Sequence, residues 1–368
     1  MKTLIKSLVK KSVQRSPAYS CARSLVKRAK IFLDANENSL GSVLGDVQKI
    51  ELNRYPDPLS ENLRKKLAQY AKVKPAQVLV GNGSDEIIWL LLLGFVENNE
   101  EILTFTPTFS MYKVFAELAG LKVRELPLEK DFTLNVAKLL KKVSPKTKII
   151  FLCSPNNPTA QTIPVSDINK VAKNFKGLVV VDEAYIEFAP RKSCQSLLRK
   201  YQNLVILRTF SKAWGLAGLR TGYALGNPEV ISALAKVRAP YSVDALSQAL
   251  AEKALTKCQQ MEIMAKKIIS ERERLTKQLW ELGLIVFPSD ANFLLVKFPA
   301  KVTASRVYKK LVDNFGIVLR DFSAKPGLKN CIRVTVGSGD ENRKLIAALG
   351  KVLKVAKVAK VAKVNRVS

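Results

Sequence analysis

Ser211 and Lys212 stand just after an apolar run, Leu204 to Leu207, that reads as a buried strand. Gly215, Ala217 and Gly218 follow within a few residues, and then a second cation, Arg220. A strand that ends in a polar loop places that loop at the edge of a sheet, where α/β proteins bind ligands. A lysine held beside another cation and partly desolvated has a lowered pKa and becomes a nucleophile able to form a Schiff base with a carbonyl. Serine and arginine around it suit a phosphate, because a guanidinium binds two phosphate oxygens at once. On its own, a Ser-Lys pair after a strand is most often solvated surface, so the other strand ends decide.

Three of those ends add groups. Val78-Leu79-Val80 runs into Gly81-Asn82-Gly83-Ser84-Asp85-Glu86 and an apolar helix. A strand, a Gly-rich turn and a helix start make an anion site from backbone N–H groups and the helix dipole; a plain cap at Ser84 is the blander alternative. Ile149 to Cys153 ends in Ser154-Pro155-Asn156-Asn157-Pro158-Thr159, and Leu178 to Val181 ends in Asp182-Glu183-Ala184-Tyr185. Together the four ends offer phosphate donors, a buried carboxylate, a phenol, an amide and a nucleophilic lysine. That set meets the needs of pyridoxal phosphate. The phosphate wants a helix N-terminus, Ser and Arg. The ring nitrogen wants a carboxylate that keeps it protonated, the ring oxygen a phenol and an amide, and the aldehyde carbon a lysine.

The elements that carry these loops alternate strand, loop and helix, with further strands at Glu101–Phe105, Val123–Leu126 and Gly222–Leu225. This pattern predicts an α/β fold: a three-layer large domain with a mostly parallel sheet covered by helices on both faces. A long helical region, roughly 244 to 282, leads to a smaller α+β lobe. That lobe has strands near 284–287, 293–298, 317–319 and 331–336, and helices near 303–314 and 340–350. No Pro/Gly linker separates independent domains. The expected division is a basic arm over 1–40, a large cofactor-binding domain over 41–250, a small α+β domain over 251–350 and a basic low-complexity tail over 351–368. In the tail, lysines recur every third residue from Lys351 to Lys363. A period of three shifts a helical stripe by about 60° per step and yields no fixed apolar face. A disordered extension is the expectation there.

Composition narrows the chemistry. The chain has 368 residues and no histidine, so imidazole bases, His-containing triads and His-ligated metals are ruled out. Acid–base work falls to Lys, Tyr, Asp, Glu, Cys or a cofactor. Five scattered cysteines, none in a Cys-x-x-Cys spacing, favour a reducing, cytoplasmic setting over a disulfide framework. No apolar run has the length of a membrane span. Sixty-one Lys and Arg against 31 Asp and Glu give a net charge of +30, which attracts phosphorylated metabolites and polyanions alike. Nonspecific polyanion binding through the tail and an inert solvated tail are both compatible with it. Residues 1–33 are basic, with Leu4, Ile5, Leu8, Val9 and Val13 at helical spacing. A basic arm is preferred there to a transit peptide, because functional-looking residues begin at Tyr19.

The chain also resembles the fold-type I aminotransferases, and within them closely the histidinol-phosphate aminotransferase family. The resemblance covers about Ser16 to Gly350. It rests on Asp34-Ala-Asn-Glu-Asn38, Asn53-Arg-Tyr-Pro-Asp57, Gly83-Ser-Asp-Glu86, Ser154-Pro-Asn-Asn-Pro-Thr159, Val181-Asp-Glu-Ala-Tyr185, Arg208-Thr-Phe-Ser-Lys212 and Ile332-Arg-Val-Thr-Val-Gly337. It implies transamination between L-histidinol phosphate and 2-oxoglutarate, with pyridoxal phosphate bound through Lys212. Asp182 is implied at the ring nitrogen, Asn157 and Tyr185 at the ring oxygen, Phe109 on the ring face, and Ser84, Asp85, Ser211 and Arg220 at the phosphate. Tyr55 is implied to reach the neighbouring subunit's phosphate, hence a homodimer with shared sites. Arg320 and Arg333 are implied to bind small anionic substrates, and Tyr19 and Asn36 to close over them. Three departures stand out: Ala160 replaces the usual glycine after Asn157-Pro158-Thr159, Phe109 the usual tyrosine, and Ser39 the frequent proline after Asn38. An aromatic-amino-acid aminotransferase and a threonine-phosphate decarboxylase share the fold and remain alternatives, as does a polyanion-binding protein that has kept it.

Overall fold

The computed structural model describes residues 31–32, 56–190 and 193–364, with side chains within 56–190 and 193–353. The central element is a seven-stranded sheet in the order β2-β8-β7-β6-β5-β3-β4. Its strands are β2 (Val78–Asn82), β3 (Glu101–Thr106), β4 (Lys122–Pro127), β5 (Thr147–Cys153), β6 (Leu178–Asp182), β7 (Leu204–Thr209) and β8 (Thr221–Leu225). The middle strands are continuous buried apolar runs, as expected for a sheet covered on both faces. The pairs β3–β4, β3–β5, β5–β6 and β6–β7 are parallel, whereas β8 is antiparallel to both β7 and β2. So every strand but β8 points the same way. The expected mostly parallel α/β sheet is what forms.

That single reversal matters for function. The carboxyl ends of β2, β5, β6 and β7 share one rim, and β8 begins where they end. Arg220, directly before β8, therefore reaches the same rim from the opposite chain direction.

The layers follow from helical periodicity. Helix α1 (Glu61–Tyr70) buries Leu63 and Leu67, and α2 (Gly83–Phe95) buries Ile87, Ile88, Leu90, Leu91 and Leu92. Apolar positions around most of α2 suit a helix packed deep against the sheet. Next come α3 (Met111–Leu118), α4 (Val136–Lys141), α5 (Val165–Asn174), α6 (Pro228–Val237) and α7 (Ala245–Ala254). The 24-residue α8 (Cys258–Glu281) then leads into the second lobe.

The second lobe is an antiparallel sheet in the order β12-β13-β10-β9, built from β9 (Ile285–Val286), β10 (Phe293–Lys297), β12 (Arg320–Asp321) and β13 (Cys331–Thr335). Helix α9 (Ala304–Phe315) precedes β11 (Ile317–Val318), which pairs in parallel with β1 (Ile31–Phe32). The tail departs from the expected disorder: α10 runs from Gly339 to Val364. Lys, Ala and Leu favour helix, no Gly or Pro follows Gly350, and extending an existing helix carries no nucleation cost. Among the described residues no helix is long and apolar enough to cross a membrane.

Candidate active site

Ser84, Asp85, Phe109, Asp182, Tyr185, Ser211, Lys212 and Arg220 line one cavity at the sheet rim, together with Cys153, Ala184 and Thr209. At one end is the start of α2. Two glycines make that end possible. A Cβ on Gly222 would fall 2.5 Å from the Ser84 backbone nitrogen, so only glycine lets the helix start dock on β8. Gly83 takes φ 74°, and a Cβ there would lie 2.7 Å from an Arg220 guanidinium nitrogen. The N-cap residue Asn82 places no side-chain hydrogen bond on the helix start. First-turn N–H groups with a guanidinium over them form an anion cradle.

Arg220 itself adopts a left-handed backbone, φ 49°, which costs a non-glycine residue roughly 1 kcal/mol or more. Its guanidinium lies 3.4 Å from the Asp85 carboxylate. Burial raises the Asp85 pKa, and the charges of Arg220 and Lys212 oppose that rise. Ser211 is fixed at the same end: its hydroxyl accepts from the Thr209 hydroxyl at 2.9 Å, and its N–H donates to Thr209 Oγ1 at 3.0 Å.

At the other end is Asp182, almost fully buried. Its Oδ2 accepts a 2.7 Å hydrogen bond from the Tyr112 hydroxyl, and its Oδ1 one from the Ala184 N–H at 3.1 Å. Burial pushes the carboxyl up to about 6, against these two bonds. Tyr112 is held by a 4.7 Å stack on Phe151 and an edge contact to Phe109. Cys153 lines the cavity as an uncharged thiol, since burial raises its pKa far above the ordinary value. Lys212 Nζ stands 5.7 Å from the centre of the Tyr185 ring, within cation–π range.

The side wall joins the two lobes. Asn157 Nδ2 is 3.4 Å from the Tyr185 hydroxyl, and Asn157 Oδ1 accepts from Arg333 at 2.7 Å. Arg333 on β13 lies directly across from Arg320 on β12. Both guanidiniums lie over the Phe322 ring, at 5.8 Å and 6.0 Å, and Arg333 also lies 5.3 Å over Phe293. Like charges directly opposed on neighbouring strands repel; an anion between them, or a ring beneath them, relieves that.

The turn at Ala160 keeps the geometry a glycine would take. Ala160 has φ 64°. Its N–H donates to the Asn156 carbonyl at 2.7 Å, and its own carbonyl accepts from Asp290 of the second lobe at 2.7 Å. Asn157 is thereby held between the lobes. Tyr19, Asn36, Ser39 and Tyr55 lie outside the described residues. Tyr112, Thr209 and Cys153 belong to the site although their motifs did not single them out. Tyr112 carries a local signal, a phenol three residues after Phe109 in the first turn of α3, and the two rings meet edge to face.

The cavity thus presents an anion cradle, a buried carboxylate and, between them, an amine beside an aromatic wall. A phosphorylated heteroaromatic aldehyde fits that donor set. The family model for aminotransferase class I and II matches residues 30–349. The histidinol-phosphate aminotransferase of Caldanaerobacter subterraneus subsp. tengcongensis is 42% identical over 330 residues, 87% of this chain and 92% of that protein. That of Flavobacterium psychrophilum is 40% identical over 353 residues, 94% of this chain and 98% of that protein. Among solved structures, histidinol-phosphate aminotransferase from Sinorhizobium meliloti in complex with pyridoxal-5'-phosphate superposes with a TM-score of 0.86. It is 27% identical and covers 94% of this chain and 97% of that one.

Proposed function

This chain belongs to the class I and II aminotransferases, and on that premise we propose that it transfers the amino group between L-histidinol phosphate and 2-oxoglutarate with pyridoxal phosphate as cofactor. In the biosynthetic direction imidazole acetol phosphate and glutamate are consumed, a step of histidine biosynthesis. The observation that carries the substrate class is the arginine pair, Arg320 opposite Arg333, on the wall that holds Asn157. Two opposed guanidiniums suit substrates that each bring an anion, phosphate in one half-reaction and carboxylate in the other. That the curated relatives are histidinol-phosphate aminotransferases supports the phosphate among the possible anions.

When bound, pyridoxal phosphate supplies a carbonyl that accepts the amino group and a protonated ring that withdraws electrons from the substrate carbon. The protein's own residues supply the rest. Ser84, Asp85, Ser211 and Arg220 would hold the phosphate at the start of α2, and Phe109 would cover a ring face. The ionised Asp182 carboxylate would keep a proton on the ring nitrogen, and Tyr112 supports that ionised form through its hydrogen bond. Asn157 and Tyr185 would orient the ring oxygen. Lys212 Nζ would provide the covalent anchor. Its amine would also carry the proton between the substrate carbon beside the nitrogen and the cofactor, in one direction in the first half-reaction and in the other direction in the second. Tyr55 from a second copy would complete the phosphate site of a homodimer, and Tyr19 and Asn36 would close over the substrate.

The test is turnover with 2-oxoglutarate and one amino donor at a time. Histidinol phosphate should exceed phenylalanine, tyrosine and histidinol in kcat/KM by about a hundredfold or more, as expected when paired cations meet an anion they are built for. Preference for an aromatic amino acid, or release of carbon dioxide from threonine phosphate, would sink the substrate assignment while leaving the family intact.

A further inference from the structure

Directly behind the cavity lies a buried ion pair that does not line it. Glu183 is the residue after Asp182, and Arg208 stands four residues before Lys212. Arg208 Nε donates to Glu183 Oε2 at 3.0 Å, and the two side chains are only 7% and 2% exposed. Ser193 bridges them. Its hydroxyl sits 2.8 and 2.7 Å from the two Glu183 oxygens and accepts from Arg208 at 2.8 Å. The Cys194 N–H donates to Glu183 Oε1 at 2.9 Å. Both carboxylate oxygens are therefore satisfied, and the guanidinium is held by two of its nitrogens.

The place of this pair in the sheet gives it a use. The ladder between β6 and β7 has its last paired residues at Asp182 and Leu207, followed by one bond from the Glu183 N–H to the Leu207 carbonyl at 2.9 Å. Beyond that point the chains part, one toward Tyr185 and the other toward Lys212. The Arg208–Glu183 bond continues the connection where the backbone ladder stops. Past Arg208, the lysine loop is pinned on both sides of Lys212. Phe210 and Trp214 are fully buried and 5.4 Å apart, Trp214 packs on Tyr70 at 5.7 Å, and Phe210 on Tyr223 at 6.0 Å.

We propose that Arg208 and Glu183 are positioning residues for the transfer reaction: their bond sets the distance between the Asp182 carboxylate and the Lys212 amine, and so governs how firmly the cofactor is gripped and how well the amine is aimed. The proposal rests on the reading of the cavity as a pyridoxal phosphate site. A stability role alone is the weaker account, because an apolar pair of similar volume generally serves a buried site as well as an ion pair does. An apolar pair lacks the direction and fixed fork of a guanidinium on a carboxylate.

The experiment uses the full chain in three forms: wild type, the double variant E183L/R208M, and R208K, which keeps the charge and loses the fork. Each is stripped of cofactor. Its affinity for added pyridoxal phosphate is read from tryptophan fluorescence, its melting temperature is recorded, and kcat and donor KM are then measured after reloading. The double variant should melt below wild type, because the Cys194 N–H and the Ser193 hydroxyl lose their acceptor, and where folded it should bind the cofactor about tenfold more weakly and lose about tenfold or more in kcat, the scale of a small misplacement. Donor KM, set by the second lobe, should move less than about threefold. R208K should show the same pattern with smaller losses, and it decides the matter alone if the double variant does not fold. Native cofactor affinity and native kcat in the folded variants would overturn the proposal. A wild-type protein that takes up no pyridoxal phosphate would instead overturn the site reading beneath it, so the two failures are distinguishable.

Discussion

Asp182 is a carboxylate whose ionisation the surroundings control from two sides. Burial raises it to about 6, and the Tyr112 hydroxyl and the Ala184 N–H restrain that rise. A protonated ring nitrogen binds the ionised form, and the ionised fraction grows as pH rises through that value. Cofactor affinity of the stripped protein should therefore fall about tenfold between pH 7 and pH 5. Tyr112→Phe removes a bond that favours the charge, so the same fall should begin at higher pH; fluorescence titration with pyridoxal phosphate at each pH checks both. The variant should also lose about 1–3 kcal/mol of stability by denaturant unfolding near neutral pH, the worth of a hydrogen bond to a charged group. At this scale much of the candidate site was legible, because Asp182 follows an apolar run directly and Ser84, Ser211 and Lys212 lie in the short polar loops just after such runs. Tyr112 and Arg208 were not assigned their partners, since Tyr112 meets Asp182 70 residues further along and Arg208 meets Glu183 25 residues back. Motif spacing carries no information about such contacts.

At the level of elements, the cradle depends on α2 docking against β8 with no side chain between them. Gly222→Ala should cost about 1–3 kcal/mol, since the new methyl meets backbone that cannot rotate away. It should also weaken cofactor binding, because the helix start would have to withdraw. Thermal melting and cofactor titration check the two effects separately. The strands themselves were readable as apolar runs bounded by turn residues. The direction of β8 was not, because an apolar run carries no sign of parallel or antiparallel pairing, and that direction is what delivers Arg220 to the rim. β12, two residues long, gave no period to detect, yet it sets Arg320 opposite Arg333. The tail shows the reverse error. A period of three forms no apolar face, but backbone propensity and an existing helix carry α10 on to Val364.

At the scale of the whole molecule, several large apolar side chains are exposed among the described residues, and four of them lie on segments next to one another. Leu59, Leu93, Val237 and Tyr241 are exposed. They belong to neighbouring segments: Arg238 donates to the Pro58 and Val80 carbonyls, Asn82 donates to the Ser242 carbonyl, and Gly94 lies against Val237. Exposed apolar side chains gathered on one face are what an interface between copies requires, so the proposed homodimer makes a prediction here. The chain should have the mass of a dimer by light scattering, and Val237→Asp should shift it toward monomer with loss of transaminase activity. The two-lobe plan was legible because the periodicity changes after the long helical region. The hold between lobes, through Asn157 on Arg333 and Ala160 on Asp290, was not, since it joins residues far apart in sequence. The central claim is that Lys212 is the covalent anchor, and absorbance of the purified chain with added pyridoxal phosphate tests it most directly. The wild-type protein should show the visible band of a lysine-linked cofactor, which histidinol phosphate discharges and 2-oxoglutarate restores, while Lys212→Ala should lack the band. A band that persists in Lys212→Ala, or that never forms in the wild type, would contradict it.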